Sequence, residues 1–479
     1  MSVQILLQGR IIGTEQFLLA GEPSTTELAG RIHWISLLSE VLPRALLAEL
    51  NLSKMLLGSS GSEQFLVVLP IEFRSQAEDF LAAARADASA RSQGAVTLLW
   101  AITENLGDWT VVRKRLNEEM QRKAGSPLAG SGLQPVSAHT PSDPAYFAEF
   151  GEKLRDAATT GWSPEAPARI EAGSGKHTWA IGTAPDFIPM ARHTALSDDG
   201  HHAAENSLLA ARAKGSPLWG VLRGDVDNFG IRIRRVQTIE EHVQLSVLYK
   251  QFFAGELEVL CSLPDFWRKV TLLYAGGDDF AILGSWDALI GFARELQRVF
   301  QRFSEEHLKD FPGPEGKTLT MAIALAQDTD ANPAAIYGQA GHKLELAKST
   351  DKDCIHLLGR TLEWKQLADA SEVRDDLTRM VDDFGVAPRY IRDLCAIYRE
   401  SRRIPFPGEK GGRRADRPWR FHRRLNRILG TSRSRDFQKA RTSLVTDLVG
   451  KNPANIKMRP SGRVALEWAR LSTEGANEN

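Results

Sequence analysis

The feature that most constrains the fold of this chain is a pattern of elements that occurs twice. Residues from about 1 to 125 carry "VQILLQGRIIG", "ELAGRIHWISLLSEVLPRALLAEL", "MLLGSSGSEQFLVVLP" and "AVTLLWAIT". Residues from about 206 to 365 carry "PLWGVLRGDVD", "IEEHVQLSVLYKQFFAGELEVLCS", "KVTLLYAGGDDFAILG", "WDALIGFARELQRVFQRFSEEHL" and "KTLTMAIALAQ". Each block reads strand, helix, glycine hairpin between apolar strands, helix, strand, with the apolar period switching between strand and helix values. That order is the βαββαβ pattern of a ferredoxin-like palm, so the fold class is α+β with two such palms from a diverged internal repeat.

Between the blocks, from about 126 to 205, glycine, proline and serine become frequent, around one helical segment, "AYFAEFGEKLRDAA". This stretch reads as a connector of helical type. From about 366 to 479 the pattern is helical. The expected domains are therefore 1–125 (first palm), 126–205 (connector), 206–365 (second palm) and 366–479 (helical). A chain of 479 residues exceeds one core and has room for this division. Its 60 Lys and Arg balance 60 Asp and Glu, so overall charge names no partner. No apolar run approaches the length of a membrane span, and the start "MSVQILLQGR" lacks signal-peptide features, which predicts a cytoplasmic protein. Cys261, Cys354 and Cys395 form no CxxC pair, so they read as buried thiols and no zinc is expected.

The two palms differ in charge at the hairpin. The second carries "AGGDDF", with Asp278 and Asp279 behind Gly276 and Gly277; the first has "GSSGSEQF" there, leaving Glu63 as its single acid. The strand "LRGDVDNFG" adds Asp225 and Asp227. In a palm the end of the first strand lies beside the hairpin, so one or two acids from each element can meet. Converging carboxylates repel unless protonated or bridged by cations, and oxygen-only ligands favour Mg²⁺ or Mn²⁺. Two such ions activate a hydroxyl and stabilise a leaving pyrophosphate, the task of nucleotidyl transfer. Gly276 and Gly277 would let a triphosphate or base approach the backbone. The first palm is expected to bind or scaffold instead.

These residues also carry a family resemblance. "LWGVLRGDVDNFG", "LLYAGGDDFAILGSW" and "LTMAIALA" followed by "AGHKLELAKS" resemble the second palm of the large polymerase-cyclase subunit of type III CRISPR effector complexes. "LAGRIHWISLLSEVL" with "NLSKMLLGSSGSEQFLVVLP" is similar to its first palm, and "RPWRFHRRLNRIL" to its C-terminal helical domain. The resemblance implies ATP as substrate, cyclic 3′–5′ oligoadenylates and pyrophosphate as products, and activation by target RNA paired to the guide RNA. It implies Asp278 and Asp279 as the metal-binding pair and Asp225 as the first acid of the neighbouring strand. Asn228 and Phe229 follow the acid strand and are candidate nucleotide-binding residues, with Asn228 read chiefly as a turn cap. Thr320 stands where the family tends to have Ser-Ala-Gly and keeps a hydroxyl for phosphate or base, and Lys348 matches a lysine that approaches the triphosphate.

Two departures bear on function. The family often begins with a metal-dependent HD nuclease domain, but the first palm starts near residue 1 and no adjacent His-Asp pair occurs, so no such DNase is expected. Many members carry zinc cysteines between the palms, and the connector has none. His201 and His202 beside Asp198 and Asp199 read as a solvated loop.

The segment "YRESRRIPFPGEKGGRRADRPWRFHRRLNRILGTSRSRDFQKAR" is basic, with Trp419, Phe421 and His422 interleaved. Such a patch neutralises phosphates and stacks on bases, or docks on an acidic neighbour. Arg413, Arg414, Arg417, Arg420, Arg423 and Arg424 are its candidate contacts to RNA or to the backbone and small subunits that the resemblance implies. Two other classes stay open: a diguanylate-type cyclase, because "GGDDFAILG" after "DVDNFG" also resembles the GGDEF palm, and a non-catalytic scaffold. Retention of mutually repelling acids speaks against the scaffold.

Overall fold

The computed structural model describes residues 3–125, 141–184, 186–400, 418–430, 434–449 and 459–474. They fall into two compact units: Met1–Arg212, Leu218–Leu319 and Leu325–His342 in the first, and Ala213–Pro217, Thr320–Ala324 and Lys343–Asn479 in the second.

The first palm comprises β1 (Gln4–Ile12), α1 (Thr14–Leu19), α2 (Thr25–Glu49), β2 (Leu57–Gly61), β3 (Gln64–Pro70), α3 (Arg74–Arg91), β4 (Thr97–Glu104) and α4 (Trp109–Ala124). Its antiparallel sheet has the order β2-β3-β1-β4. Leu6, Leu66 and Leu99 alternate onto one face and bury against Val112, Leu116 and Met120 of α4. Helix α2 starts where the Ser24 hydroxyl accepts from the Glu27 amide at 3.2 Å, an N-cap.

The connector holds α5 (Pro144–Asp156), β5 (Thr159–Trp162), β6 (Glu171–Ala172), β7 (His177–Gly182), β8 (Ile188–Pro189) and α6 (Asn206–Ala211). It is not simply helical, as the sequence suggested: the strands form a small sheet of order β6-β5-β7-β8. They are too short, and too rich in glycine and threonine, for an apolar period to show. Helix α5 crosses α2 at a glycine pair, where a Cβ on Gly151 would lie 2.8 Å from the Thr26 carbonyl oxygen. Phe17, Trp34 and Phe147 pack beside this crossing with ring centroids 5.4 Å apart.

The second palm repeats the element order. It contains β9 (Trp219–Val226), α7 (Phe229–Arg235), α8 (Ile239–Gln251), a π-helical turn leading into α9 (Leu257–Cys261), β10 (Val270–Ala275), β11 (Asp279–Ser285), α10 (Trp286–His307), β12 (Leu319–Leu325) and α11 (Pro333–Thr350). The strand order β10-β11-β9 reproduces β2-β3-β1 of the first palm. Each palm's first long helix meets the other's hairpin strand, α2 against β10 and α8 against β2. This exchange brings the two hairpins together.

In the second unit, β12 pairs in parallel with β13 (Cys354–Leu357), which pairs antiparallel with β14 (Arg360–Glu363). Helices α12 (Trp364–Asp382), α13 (Arg389–Glu400), α14 (Pro418–Ile428), α15 (Arg435–Val449) and α16 (Pro460–Glu474) follow. Helix α16 packs on α12, α13 and α15, and the Arg374 guanidinium lies 4.4 Å from the centre of the Trp468 ring. All three cysteines are buried thiols, and among the described residues no helix is long and apolar enough to cross a membrane.

Candidate active site

Strands β9 and β11 pair so that Asp225 stands directly opposite Asp279. Directly opposed residues of an antiparallel pair share a face with Cβ atoms about 4.5–5.5 Å apart, and like charges there are destabilising. Asp278 sits next to them at the hairpin, where its carbonyl accepts from the Val226 amide at 2.8 Å. The Tyr274 hydroxyl donates to Oδ1 of Asp279. Burial, and then the neighbouring Asp279, push the Tyr274 hydroxyl well above the usual tyrosine range, so it stays protonated and available as that donor.

The two glycines provide space. A Cβ at Gly276 would lie 2.5 Å from Oδ1 of Asp279, and one at Gly277 would lie 2.6 Å from Oγ of Ser62. That serine belongs to the first palm, and its hydroxyl oxygen accepts from the Gly277 amide at 2.6 Å. Strands β2 and β3 are joined there by Ser62 and Glu63, both with positive φ (49° and 60°), the requirement of a type I′ hairpin.

Comparing the registers shows how the first palm lost its acids. Ile11 donates to the Glu63 carbonyl as Val226 does to Asp278, and Arg10 pairs with Gln64 as Asp225 pairs with Asp279. Arg10 and Gln64 thus occupy the places of the two opposed acids, and Glu63 alone remains, at the position of Asp278. Burial raises the Glu63 carboxyl above its ordinary value against the pull of Thr14, Arg10 and Arg223. Arg223 belongs to the second palm, two residues before Asp225, with its guanidinium 4.3 Å from the centre of the Tyr337 ring. Burial alone would lower Arg223, but Tyr337 and Asp279 outweigh it and hold the cation.

β9 ends at Val226, so Asp227 lies past the strand: it is buried, and its Oδ2 accepts from the Thr318 hydroxyl at 2.7 Å. Asn228 adopts a left-handed conformation (φ 58°) at the N-cap of α7; its carbonyl accepts from Ile231 and Arg232, and its side chain makes no capping bond. Phe229 packs edge-on against Tyr249 at 4.9 Å. In the second unit, Thr320 is fully buried in β12, and the Lys348 ammonium lies 3.4 Å from Glu345. Arg423 is exposed on α14, and Arg424 lines a groove with Arg389, Tyr390, Asp393 and Arg427. Arg413, Arg414 and Arg417, and the side chain of Arg420, lie outside the described residues. Asp198 accepts from Arg212 and Arg268, while Asp199 engages the His201 amide at 2.9 Å.

Among the described residues no three His, Cys, Asp or Glu side chains form a set that could hold a metal by themselves. The donor set that is present, opposed carboxylates at the edge of a hairpin, suits a hard cation such as Mg²⁺. That ion commonly takes one or two protein carboxylates and completes its shell with water and substrate phosphates. Sequence reasoning passed over Tyr274, Ser62 and Arg223. Only Arg223 left a signal, since the i, i+2 spacing in "RGD" puts it on the face of Asp225.

Residues 218–356 match the family described as Cas10/Cmr2, second palm domain. The Mycobacterium tuberculosis protein named "CRISPR system single-strand-specific deoxyribonuclease Cas10/Csm1 (subtype III-A)" is 28% identical over 196 residues, 36% of this chain and 23% of that protein. The aligned part thus spans about a quarter of that relative's length. Among solved structures, the Csm1-Csm4 cassette in complex with cA3 matches with TM-score 0.71 and 15% identity over 98% of this chain and 70% of that one. The cassette in complex with one ATP matches with the same TM-score, identity and coverage. Residues 218–356 are thus similar to the second palm domain of Cas10/Cmr2, and the fold of the chain is similar to that of Csm1.

Proposed function

We propose that this chain is the large subunit of a cytoplasmic type III RNA-guided effector complex and joins ATP into cyclic oligoadenylates, in a metal-dependent reaction activated by target RNA. The observation that carries this reading is the register of β9 on β11. It sets Asp225 against Asp279 beside Asp278, while the first palm has Arg10 and Gln64 at the matching places. Folding alone gives no reason to keep two repelling carboxylates in one palm. The ATP and cA3 complexes of the similar cassette support the choice of nucleotide and product, and the presence of Csm4 there supports a backbone subunit as partner.

In the proposed reaction two ATP molecules lie across the facing hairpins. The 3′-hydroxyl of one attacks the α-phosphate of the other, a new P–O bond forms, and pyrophosphate and a proton leave. Asp225, Asp278 and Asp279 are the residues that would hold Mg²⁺ or Mn²⁺, which when bound offsets charge on the phosphates and lowers the pKa of the attacking hydroxyl. Tyr274 fixes the carboxylate of Asp279. The Gly276 and Gly277 backbone leaves room for phosphate oxygens, and Arg223 supplies a fixed positive charge beside Asp279. The deoxyribonuclease activity in the relative's name is not extended to this chain, whose sequence has no adjacent His-Asp pair.

The test is to incubate the assembled complex with Mg²⁺ or Mn²⁺ and each labelled nucleoside triphosphate, with and without matching target RNA, and to weigh the products. Cyclic oligoadenylates that form only with target RNA and vanish in Asp278→Ala/Asp279→Ala establish the reading. A guanine dinucleotide would instead make it a diguanylate-type cyclase, and no product from a folded complex would make it a scaffold.

A further inference from the structure

A cavity of about 550 Å³ opens away from the hairpins. Its walls are the first turns of α2, the end of α5, the chain from Arg192 to Ser207, the start of β10 and the loop before α11. Thr271 and Leu272 line it, whereas the hairpin glycines lie past the other end of β10, roughly 13–20 Å along the strand at about 3.3 Å per residue. The volume falls within the range of small-molecule sites.

His33 lines this cavity and is 8% exposed, yet neither of its ring nitrogens has a hydrogen-bond partner. A buried polar group left in that state costs about 1–3 kcal/mol. Nη1 of Arg155, also on the wall, is likewise buried without a hydrogen bond and has only a looser ion-pair contact with Glu152 at 3.7 Å, while its Nη2 donates to Asp156 at 2.8 Å and to the His201 carbonyl at 3.0 Å. Burial and the nearby Arg192 bring the His33 imidazole down to about 4, so the ring is neutral and offers one donor and one acceptor.

Charge selects the kind of ligand. The lining holds two arginines against three carboxylates, Glu152, Glu205 and Asp330. Arg192 is spent on the Leu154 and Ala157 carbonyls. A phosphate would meet net negative charge, but an uncharged molecule would not. The exposed carboxylates of Glu205 and Asp330 are suited to accept from a vicinal diol, and Ala29, Ala204, Leu272 and Pro333 give apolar walls for a flat ring.

We propose that this cavity binds an uncharged nucleoside, its base edge paired with the His33 ring and Nη1 of Arg155, and its ribose hydroxyls at the carboxylate rim. The site is distinct from the hairpin acids and does not depend on what they catalyse.

Calorimetric titration of the full chain with adenosine, guanosine, cytidine and uridine, and with each 5′-monophosphate, tests it. At least one nucleoside binds, its monophosphate binds about tenfold or more weakly, and Asp278→Ala/Asp279→Ala leaves the affinity unchanged. His33→Leu removes the unsatisfied ring and weakens nucleoside binding by about tenfold or more while melting no lower than the parent. Ala29→Leu, one helical turn from His33, fills the cavity and gives the same loss without touching a polar group. The proposal is overturned if no nucleoside binds at millimolar concentration, if binding survives both substitutions, if the hairpin variant abolishes it, or if the monophosphate binds as well as the nucleoside.

Discussion

The hydroxyl oxygen of Ser62 accepts from the amide of Gly277 at 2.6 Å, and this bond ties the acid-poor hairpin of one palm to the acid-rich hairpin of the other. The two residues occupy equivalent places in the repeat, each immediately before the acid at the tip, Glu63 or Asp278. Their contact therefore joins corresponding points of the two palms. Gly277 is buried, so its amide depends on this serine.

Ser62→Ala is expected to leave that buried amide without its acceptor, at about 1–3 kcal/mol. ATP turnover should fall by more than the melting temperature suggests, because the hairpin glycines lose their anchor. Gly277→Ala meets Oγ of Ser62 from the other side, and Ser62→Gly should restore part of its loss. A double-mutant cycle on thermal stability measures this, and strict additivity would mean the hairpins do not touch in solution.

The opposed pair Asp225 and Asp279 predicts a stability that depends on divalent cation. Asp225→Asn should raise the melting temperature in EDTA, since it removes a like-charge pair costing about 0.2–1 kcal/mol. The same change should shrink the stabilisation that Mg²⁺ gives the parent, which follows from preferential binding to the folded state. Equal Mg²⁺ responses in parent and variant would place the cation elsewhere.

Much of this was legible in the residues because the decisive signals were local. "DVDNFG" and "AGGDDF" named their strand and hairpin, and the repeat fixed the order of elements in both palms. Other features depend on contacts that no local pattern encodes. Ser62 and Gly277 are 215 residues apart, and the equivalence of Arg10 with Asp225 appears only once the strand registers are known. Asp227 shared an i, i+2 spacing with Asp225, but the strand ends between them and the chain turns at Asn228 into α7. The connector strands were hidden for another reason. Segments such as "TTGW" rely on backbone pairing and close glycine approach, so their side chains carry no alternation.

Gly341 on α11 predicts a coupling that tests the place of Arg223. A Cβ at this position would collide with Nη1 of Arg223, which rests against the Tyr337 ring and near Asp279. Gly341→Ala should displace the guanidinium and lower ATP turnover by about tenfold, with a coupling to Arg223→Met of about 0.5–3 kcal/mol in a double-mutant cycle. If Gly341→Ala keeps full turnover, Arg223 has no part in the site.

Glu40 on α2 predicts an acid limit to the union of the palms. Its carboxylate meets Lys250 of α8 at 2.6 Å and Arg44 at 2.7 Å, and accepts from the Ser60 hydroxyl at 2.7 Å. Burial alone would raise this carboxyl, but Lys250 and Arg44 outweigh it and bring it down to about 2. A carboxyl depressed on folding adds stability that is complete above its unfolded pKa, near 4.5, and is lost as pH falls toward 2. At about 1.4 kcal/mol per pKa unit the contribution is about 3 kcal/mol. Glu40→Gln should therefore melt lower than the parent at pH 7 and show a flatter loss of stability between pH 5 and pH 2, since the group that takes up the proton is gone. Glu40→Ala, which strands Lys250 and Arg44 in a buried setting, should cost more, about 3–5 kcal/mol. Parallel pH profiles for parent and Glu40→Gln would show that acid unfolding begins elsewhere in the chain.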